Sequence, residues 1–190
     1  MELTLTILIG LGLAAACGYR VFVPFLVLSI AAMSGHVTLA EGFAWIGTPY
    51  ALVAFALATL LEVLAYYVPW FDNLLDTIST PAAVVAGVIV TASVVGDMSP
   101  FLKWTLAVIA GGGMAAAVQT ATVAVRGTST VTTGGTANPL VSTGELGGSI
   151  VTSVLAVVLP IVAVAIVIVT LVVSARIVGR FRRRRCEAPS

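Results

Sequence analysis

Two ionisable residues lie inside long apolar runs of this chain, and they are the first candidates for chemistry. Arg20 lies near the middle of an apolar run over residues 3–33, and Glu62 is the only carboxylate of the next run, over residues 45–68. A charged side chain at bilayer depth costs about 2.5–3.5 kcal/mol on insertion scales, so it usually has a partner or water. We expect Arg20 to meet Glu62, either as a pair that only fixes packing or as part of a solute pathway.

Asp72 and Asp76 form a second pair, and their i, i+4 spacing puts both carboxylates on one side of a helix. Such a pair could hold a divalent cation, as in enzymes that bind diphosphate through magnesium. The alternative, which we favour, is a solvated turn in which Asp76 or Ser79 caps a helix ahead of Pro81. Asp72 and Asp76 are the metal-ligand candidates of the sequence.

The stretch over residues 127–148 is rich in Gly, Thr and Ser and shows no helical periodicity. Ser142 followed by Glu145 is typical of a capping box, so a helix is expected to begin there. The stretch is interpreted either as a pore loop or substrate gate, or as an ordinary external loop, although loops of this length are uncommon without a role. Its candidate site residues are Gly134, Gly135, Asn138 and Glu145.

Composition indicates which structural elements carry these residues. Hydrophobic residues make up 59% of the 190 residues and charged residues 9%, whereas soluble domains have about 25% charged residues. In hydrocarbon every backbone polar group needs an internal partner, so the continuous apolar runs must be helices. At roughly 20 residues a crossing, the sequence predicts an all-α integral membrane protein with a bundle of about five transmembrane helices.

Two of the predicted helices depart from a plain crossing. Gly18 and Pro24 flank Arg20, so the first helix should break there, either as a proline kink or as an anion site of free N–H groups beside a cation. The segment over residues 81–96 is short for a hydrocarbon core of ~30 Å, so it either re-enters or begins earlier, near Leu74. The last two segments are predicted over residues 101–125 and 149–178.

The runs over residues 10–16 and 111–117 resemble each other in their glycines and alanines. Such similarity is found in inverted-repeat transporters, whose related helices run in opposite directions. It also arises wherever small residues let membrane helices approach closely. We favour the second interpretation because the match ends at Cys17.

Basic residues predict the orientation of the chain. Six of the nine lie between Arg176 and Arg185, and the positive-inside rule places this segment in the cytoplasm. Five crossings then put Lys103 on the cytoplasmic side as well, and Asp72 and Asp76 outside.

The predicted domains are a transmembrane domain over residues 1–178 and a basic cytoplasmic tail over residues 179–190. Arg180–Arg185 would bind anionic lipid at about 1 kcal/mol per charge.

Three motifs together resemble a known family. They are Gly18-Tyr19-Arg20-Val21-Phe22-Val23-Pro24, then Glu62 with Val68-Pro69-Trp70-Phe71-Asp72 and Asp76, then Thr132-Thr133-Gly134-Gly135 with Asn138-Pro139 and Glu145. Their order along the chain is similar to that of the bacterial membrane family catalogued as domain of unknown function 4126. Leu146 departs from it, since many relatives carry a second acidic residue there. The resemblance implies a small multi-pass protein of the bacterial plasma membrane and implies no activity.

Three functions follow as hypotheses. The first is a small transporter or channel for a small solute or ion, assembled as a homo-oligomer, with its site where the broken first helix meets Glu62 and residues 134–138. The second is a membrane-embedded magnesium-dependent enzyme that acts on a lipid or isoprenoid phosphate through Asp72 and Asp76. The third is a non-catalytic accessory or scaffold protein. Transport is favoured over catalysis, and no cofactor or nucleic-acid partner is expected.

Overall fold

The computed structural model describes the backbone of residues 3–65, 72–96 and 98–186, and of these the side chains of all except 72–76, 174–175 and 177–186. Within these ranges the regular structure is helical throughout, which confirms the all-α class. The helices are α1 (Leu3–Cys17), α2 (Val23–Met33), α3 (Pro49–Ala65), α4 (Asp72–Val94), α5 (Pro100–Leu106), α6 (Gly113–Thr133), α7 (Asn138–Val158) and α8 (Pro160–Cys186). A 3₁₀ turn over Ala44–Gly47 precedes α3, and a π-helical segment over Ala107–Gly112 joins α5 to α6.

The first helix breaks where the sequence predicted, between α1 and α2, and the chain reverses direction there. Ser149 Oγ of α7 donates to the carbonyl of Ala16 near the end of α1, over 3.1 Å. After α2, the Ala40 N–H donates to the carbonyl of Ser93 near the far end of α4, over 2.7 Å. Helix α4 runs away from the break, because Ser79 near its start contacts Gln119, which lies against Gly18, whereas Thr91 near its end donates to the carbonyl of Gly10. Helix α2 therefore runs away from the break too. The break is therefore a turn between two oppositely directed helices, and we call residues 18–22 the Arg20 turn.

Helix α4 begins at Asp72 and not at Pro81, so it has 23 residues and is long enough to cross a bilayer. This confirms the earlier start that the sequence left open and removes the need for re-entry. Pro81 lies inside the helix.

The predicted irregular loop over residues 127–148 is wrong. Helix α6 continues to Thr133 and α7 begins at Asn138, which leaves a turn over residues 134–137 in which Gly134 and Gly135 take φ of 63° and 86°. Thr128 and Thr132 each donate to the carbonyl four residues earlier, at 2.8 Å, so hydroxyl residues that favour loops in water are satisfied within α6. We call α6, this turn and the start of α7 the helical hairpin.

Two other boundaries also differ from the prediction. The expected helix start at Ser142 is wrong, because α7 begins one turn earlier with Pro139 in its first turn, where a missing N–H costs nothing. The single segment over residues 149–178 is two helices, because Pro160 cannot continue the hydrogen-bond ladder of α7.

Contacts along α1 establish the direction of its neighbours. Gly12 packs on Ala156 of α7 and near Ala163 of α8, and Ala15 clusters with Val167 of α8. Helix α7 is therefore antiparallel to α1, and α8 is parallel to it. The C-terminal part of α8 and the helical hairpin thus lie at the same end of the bundle, which we call the hairpin end.

Lys103 lies at the opposite end. It is in α5, at the start of a continuous helical stretch over Pro100–Thr133 that runs to the hairpin end, with its Nζ 5.1 Å from the ring centre of Phe43. The prediction that Lys103 shares a side with the C-terminal tail is therefore wrong. The prediction that Asp72 and Asp76 lie on the side opposite the tail is wrong as well, because α4 runs antiparallel to α6 and begins at the hairpin end. The count of five crossings missed the reversal at Arg20 and the separation of α7 from α8.

Helix length and hydropathy support a multi-pass membrane protein. Among the described residues, the helical stretches long and apolar enough to cross a bilayer are Thr77–Val94, Pro100–Thr133 and Asn138–Val158. Shorter apolar helices cover Leu3–Cys17, Val23–Met33, Pro49–Ala65 and Pro160–Val173. In this bundle α2, α4 and α7 run antiparallel to α1, and α8 runs parallel to it.

Small residues let the helices of this bundle approach closely. A Cβ atom built on Gly12 would lie 2.7 Å from that of Ala156, and one built on Gly87 would lie 2.8 Å from the carbonyl oxygen of Gly111. We call these close contacts the small-residue seam, with Gly10, Gly12, Gly18, Gly87 and Gly111 as members. Both glycine-rich runs of the sequence lie in it, which confirms the contact interpretation. Helices α1 and α6 run in the same direction, so the inverted-repeat alternative is wrong.

Candidate functional site

Arg20 is buried in the middle of the bundle, with 1% of its surface exposed. Its Nη2 donates to the carbonyl oxygen of Ser142 over 3.0 Å and also to the Ser142 hydroxyl. The same nitrogen lies 3.5 Å from Glu145 Oε2. The Arg20 turn is thus tied to the second and third turns of α7 through two neighbouring residues.

Glu145 is shared by two guanidinium groups. Its Oε2 accepts from Arg126 Nη2 of α6 as well as facing Arg20, and all three side chains are buried. We call Arg20, Arg126 and Glu145 the ionic cluster. Taking charges out of water is costly, so a buried set of this kind persists only where the geometry pairs the groups well. The cluster joins three separate elements: the Arg20 turn, α6 and α7.

Glu62 does not pair with Arg20, so the predicted ion pair is wrong. Its two carboxylate oxygens accept from the backbone N–H groups of Val21 and Phe22, at 2.8 and 3.1 Å. These N–H groups precede the first turn of α2, where a helix has no carbonyl partner for them, and a carboxylate is favoured there. Glu62 therefore anchors the Arg20 turn to α3 next to the arginine, without meeting the guanidinium.

Gly134, Gly135 and Asn138 lie at the tip of the helical hairpin and do not converge with Arg20. Asn138 Nδ2 donates across the hairpin to Thr130 Oγ1, over 3.1 Å. Glu145 comes seven residues later, which is about 10 Å along α7. Of the predicted pathway residues, the structure brings Arg20 and Glu145 together, holds Glu62 beside them through the backbone, and leaves the other three at the tip.

The side chains of Asp72, Asp76 and Arg180–Arg185 lie outside the described residues, so the metal pair and the lipid-binding tail stay predictions. The backbone gives one constraint, because Gln119 Nε2 of α6 donates to Ser79 Oγ of α4 over 3.0 Å. Helices α4 and α6 are antiparallel. Asp72 lies two turns from Ser79 and Arg126 lies two turns from Gln119, so the backbones of Asp72 and Arg126 lie opposite each other. Among the described residues, no group of three or more His, Cys, Asp or Glu side chains could hold a metal ion.

Sequence reasoning missed Arg126 and Ser142 as site residues. A signal was present for Arg126: Gln119, Thr122 and Arg126 follow each other at spacings of three and four, so they share one face of a helix. That face is the one that packs inward, since Gln119 and Arg126 are both buried. Assigning residues 127–148 to a loop hid it, because an arginine at a helix end needs no explanation.

A cavity of about 320 Å³ adjoins the ionic cluster, between the Arg20 turn, α6, α7 and α8. Its polar lining comes from Glu145, Tyr19, Thr122 and Thr170, and its apolar lining includes Val118, Val125, Val141 and Leu171. A second cavity, of about 500 Å³, lies between α2, α3 and α4 and is lined by apolar side chains such as Phe25, Trp45 and Phe55. The first cavity combines an apolar wall with an ionic group, which is the usual chemistry of a small-molecule site.

Comparison with known proteins agrees with the sequence motifs. The chain matches no curated protein and no solved structure. A family model described as Domain of unknown function (DUF4126) matches residues 7–180. The match covers the Arg20 turn, Glu62 and the helical hairpin. The resemblance is thereby confirmed, and the chain belongs to the DUF4126 family.

Proposed function

We propose that this protein is a transporter of a small solute, with its binding site at the ionic cluster and the cavity that Glu145 lines. The observation that supports it is a buried set of two arginines and a glutamate at a helix reversal inside an apolar bundle. Ionisable residues at membrane depth commonly mark solute pathways, and discontinuous helices form the binding sites of many transporters.

The arrangement favours a carrier over an open channel. A solute can reach the arginines from the cavity only by disturbing contacts that join the Arg20 turn, α6 and α7. Binding would therefore change the packing of three helical elements at once, as alternating access requires. A cavity of 150 Å³ accommodates benzene, so the 320 Å³ here fits a solute of about twice that size.

Uptake into proteoliposomes tests the proposal. The panel is chloride, phosphate, benzenesulfonate and phenyltrimethylammonium, each compared with protein-free liposomes. We expect uptake of at least one solute. In Arg20→Gln this uptake should fall about tenfold or more, because that is the change in affinity that the loss of one charge-assisted hydrogen bond produces. Arg176→Gln is the matched control, because Arg176 is an exposed arginine of α8.

A milder variant separates function from folding. Ser142→Ala removes a hydroxyl acceptor of Arg20 and keeps the backbone acceptor, so it should fold and transport more slowly than wild type. No uptake above empty liposomes for the whole panel, or equal uptake in Arg20→Gln and wild type, overturns the proposal.

We also propose that the protein lies in the bacterial plasma membrane as a homo-oligomer, with the hairpin end and the basic tail in the cytoplasm. The native cysteines allow a test of orientation, since Cys17 is buried and Cys186 follows the arginines. A membrane-impermeant maleimide should label Cys186 in inverted vesicles and not in intact cells. Labelling in intact cells contradicts the orientation.

A further inference from the structure

Glu145 stands between the cavity and the arginines. It is the member of the ionic cluster that lines the cavity, whereas Arg20 and Arg126 lie behind it. Arg20 also keeps two acceptors on Ser142, so its position on α7 does not depend on Glu145. A group that enters the cavity therefore meets the carboxylate first and reaches the guanidinium groups by replacing it.

Two glycines flank Glu145 in α7 without a close packing contact. They are Gly144 and Gly147, and a Cβ atom built on either would meet nothing within 4 Å. A glycine inside a helix costs roughly 0.5–1 kcal/mol relative to alanine, and neither position has a close neighbour that would require it. The two glycines instead lower the resistance of α7 to bending or rotating beside the carboxylate.

We propose that the solute is a small amphiphilic anion, with an apolar body and a carboxylate, sulfonate or phosphate-ester group, and that Glu145 exchanges with this group on Arg126 and Arg20. The inference rests on the proposed function. Glu145 takes up one proton and becomes a neutral acid, and the guanidinium N–H groups pass their hydrogen bonds from Glu145 to the anion. On release the proton leaves and Glu145 returns, so one proton travels with each anionic solute.

The groups around Glu145 make it the switchable member of the cluster. The Arg20 turn contributes Arg20 and Tyr19, and α6 contributes Arg126, whose guanidinium stays charged at all accessible pH. Helix α8 contributes Thr170 and Leu171 to the cavity, neither of them ionisable there. Glu62 lies beyond Arg20, held by backbone N–H groups. Helix α4 brings the backbone of Asp72 opposite Arg126, so its carboxylate is included in the test.

Binding of benzenesulfonate in nanodiscs tests this step, because a sulfonate stays ionised from neutral to mildly acidic pH and any pH dependence then belongs to the protein. Wild type should bind about tenfold more tightly for each unit of pH decrease, as one coupled proton requires. Glu145→Gln, a mimic of the neutral acid, should bind tightly at every pH. Glu41→Gln is the matched control, since Glu41 is an exposed carboxylate of the α2–α3 loop, and it should behave as wild type.

Three further arms make the result decisive. Arg126→Gln should lose binding, phenyltrimethylammonium should not compete, and Leu171→Trp, which fills the cavity from α8, should lose binding with the ionic cluster intact. A pH dependence that survives in Glu145→Gln and disappears in Asp72→Asn overturns the role of Glu145. Competition by the cation, or unchanged binding in Leu171→Trp, overturns the anion site. Arg20-dependent uptake without benzenesulfonate binding overturns this inference and leaves the proposed function standing.

Discussion

The body of α1 and the Arg20 turn that follows it contact the rest of the bundle in different ways. Along its body, Gly12 brings α1 so close to α7 that an added methyl group would clash, and Gly10 brings it so close to α4 that an added methyl group would be tight. At its C-terminal end, the chain turns at Arg20 and is held by long charged side chains, next to a cavity of about 320 Å³. The body of α1 is therefore tightly packed, whereas the turn that follows it borders open space at Tyr19.

The difference teaches how the site is positioned. Without a hydrophobic force between helices in lipid, close van der Waals contact is what keeps them together. The small-residue seam fixes the depth of α1 against α4, α6 and α7, so the ionic cluster need not hold the fold by itself. The glycines divide in the same way: Gly12 and Gly111 lie in close contacts, and Gly144 and Gly147 have open space around them.

Overpacking the seam should have the largest effect. Gly111→Val would push side-chain atoms towards the carbonyl of Gly87, 2.8 Å from the added Cβ, and we expect a loss of about 3 kcal/mol in unfolding free energy. Unfolding in mixed micelles measures it. Gly113→Val is the matched control, because nothing lies within 4 Å of a Cβ atom there. Equal stability of the two variants would show that the seam does not hold the bundle.

Much of the seam could be predicted from sequence, and less of the site could. The runs of Gly and Ala and the break at Arg20 are local patterns, so they were identified correctly. The partner of Arg20 lies 125 residues away in Glu145, and which helices bring such groups together depends on packing that composition does not encode. Glu62 was the nearer carboxylate in the sequence, but the N–H groups at the start of α2 occupy it.

The prediction of a loop in place of the helical hairpin failed for a different reason. Its Thr, Ser and Gly content indicates a loop on propensity scales measured in water. In the bundle, contacts of one helix face and the bonding of threonine hydroxyls to the backbone four residues earlier override that preference. The loop assignment therefore hid Arg126 as the partner of Glu145, although Glu145 itself was identified as a candidate site residue.

Removing the anchor between α3 and the Arg20 turn should have an intermediate effect on the unfolding free energy. Glu62→Ala leaves the N–H groups of Val21 and Phe22 without acceptors, and we expect a loss of about 2 kcal/mol. Hydrogen exchange at these two amides should accelerate, whereas amides of the seam, such as that of Ala14, should keep their protection. Glu62→Gln retains one carbonyl acceptor and should fall between Ala and wild type. Unchanged exchange at Val21 and Phe22 would contradict the anchoring role.

Substituting the glycines of α7 that have open space around them should give the smallest change in unfolding free energy, and this change should be a gain. Gly147→Ala adds a methyl group where nothing lies within 4 Å, away from the cavity lining, and removes backbone freedom from the unfolded chain, so we expect a gain of about 0.5–1 kcal/mol. Gly12→Ala, the same change in the seam, should lose stability because the new methyl meets Ala156 at 2.7 Å. If the freedom of α7 serves Glu145, Gly147→Ala should also slow solute uptake while raising the unfolding midpoint. A stabilised variant with unchanged uptake would show that these glycines serve no moving part, and the contrast between the two regions would then be one of packing alone.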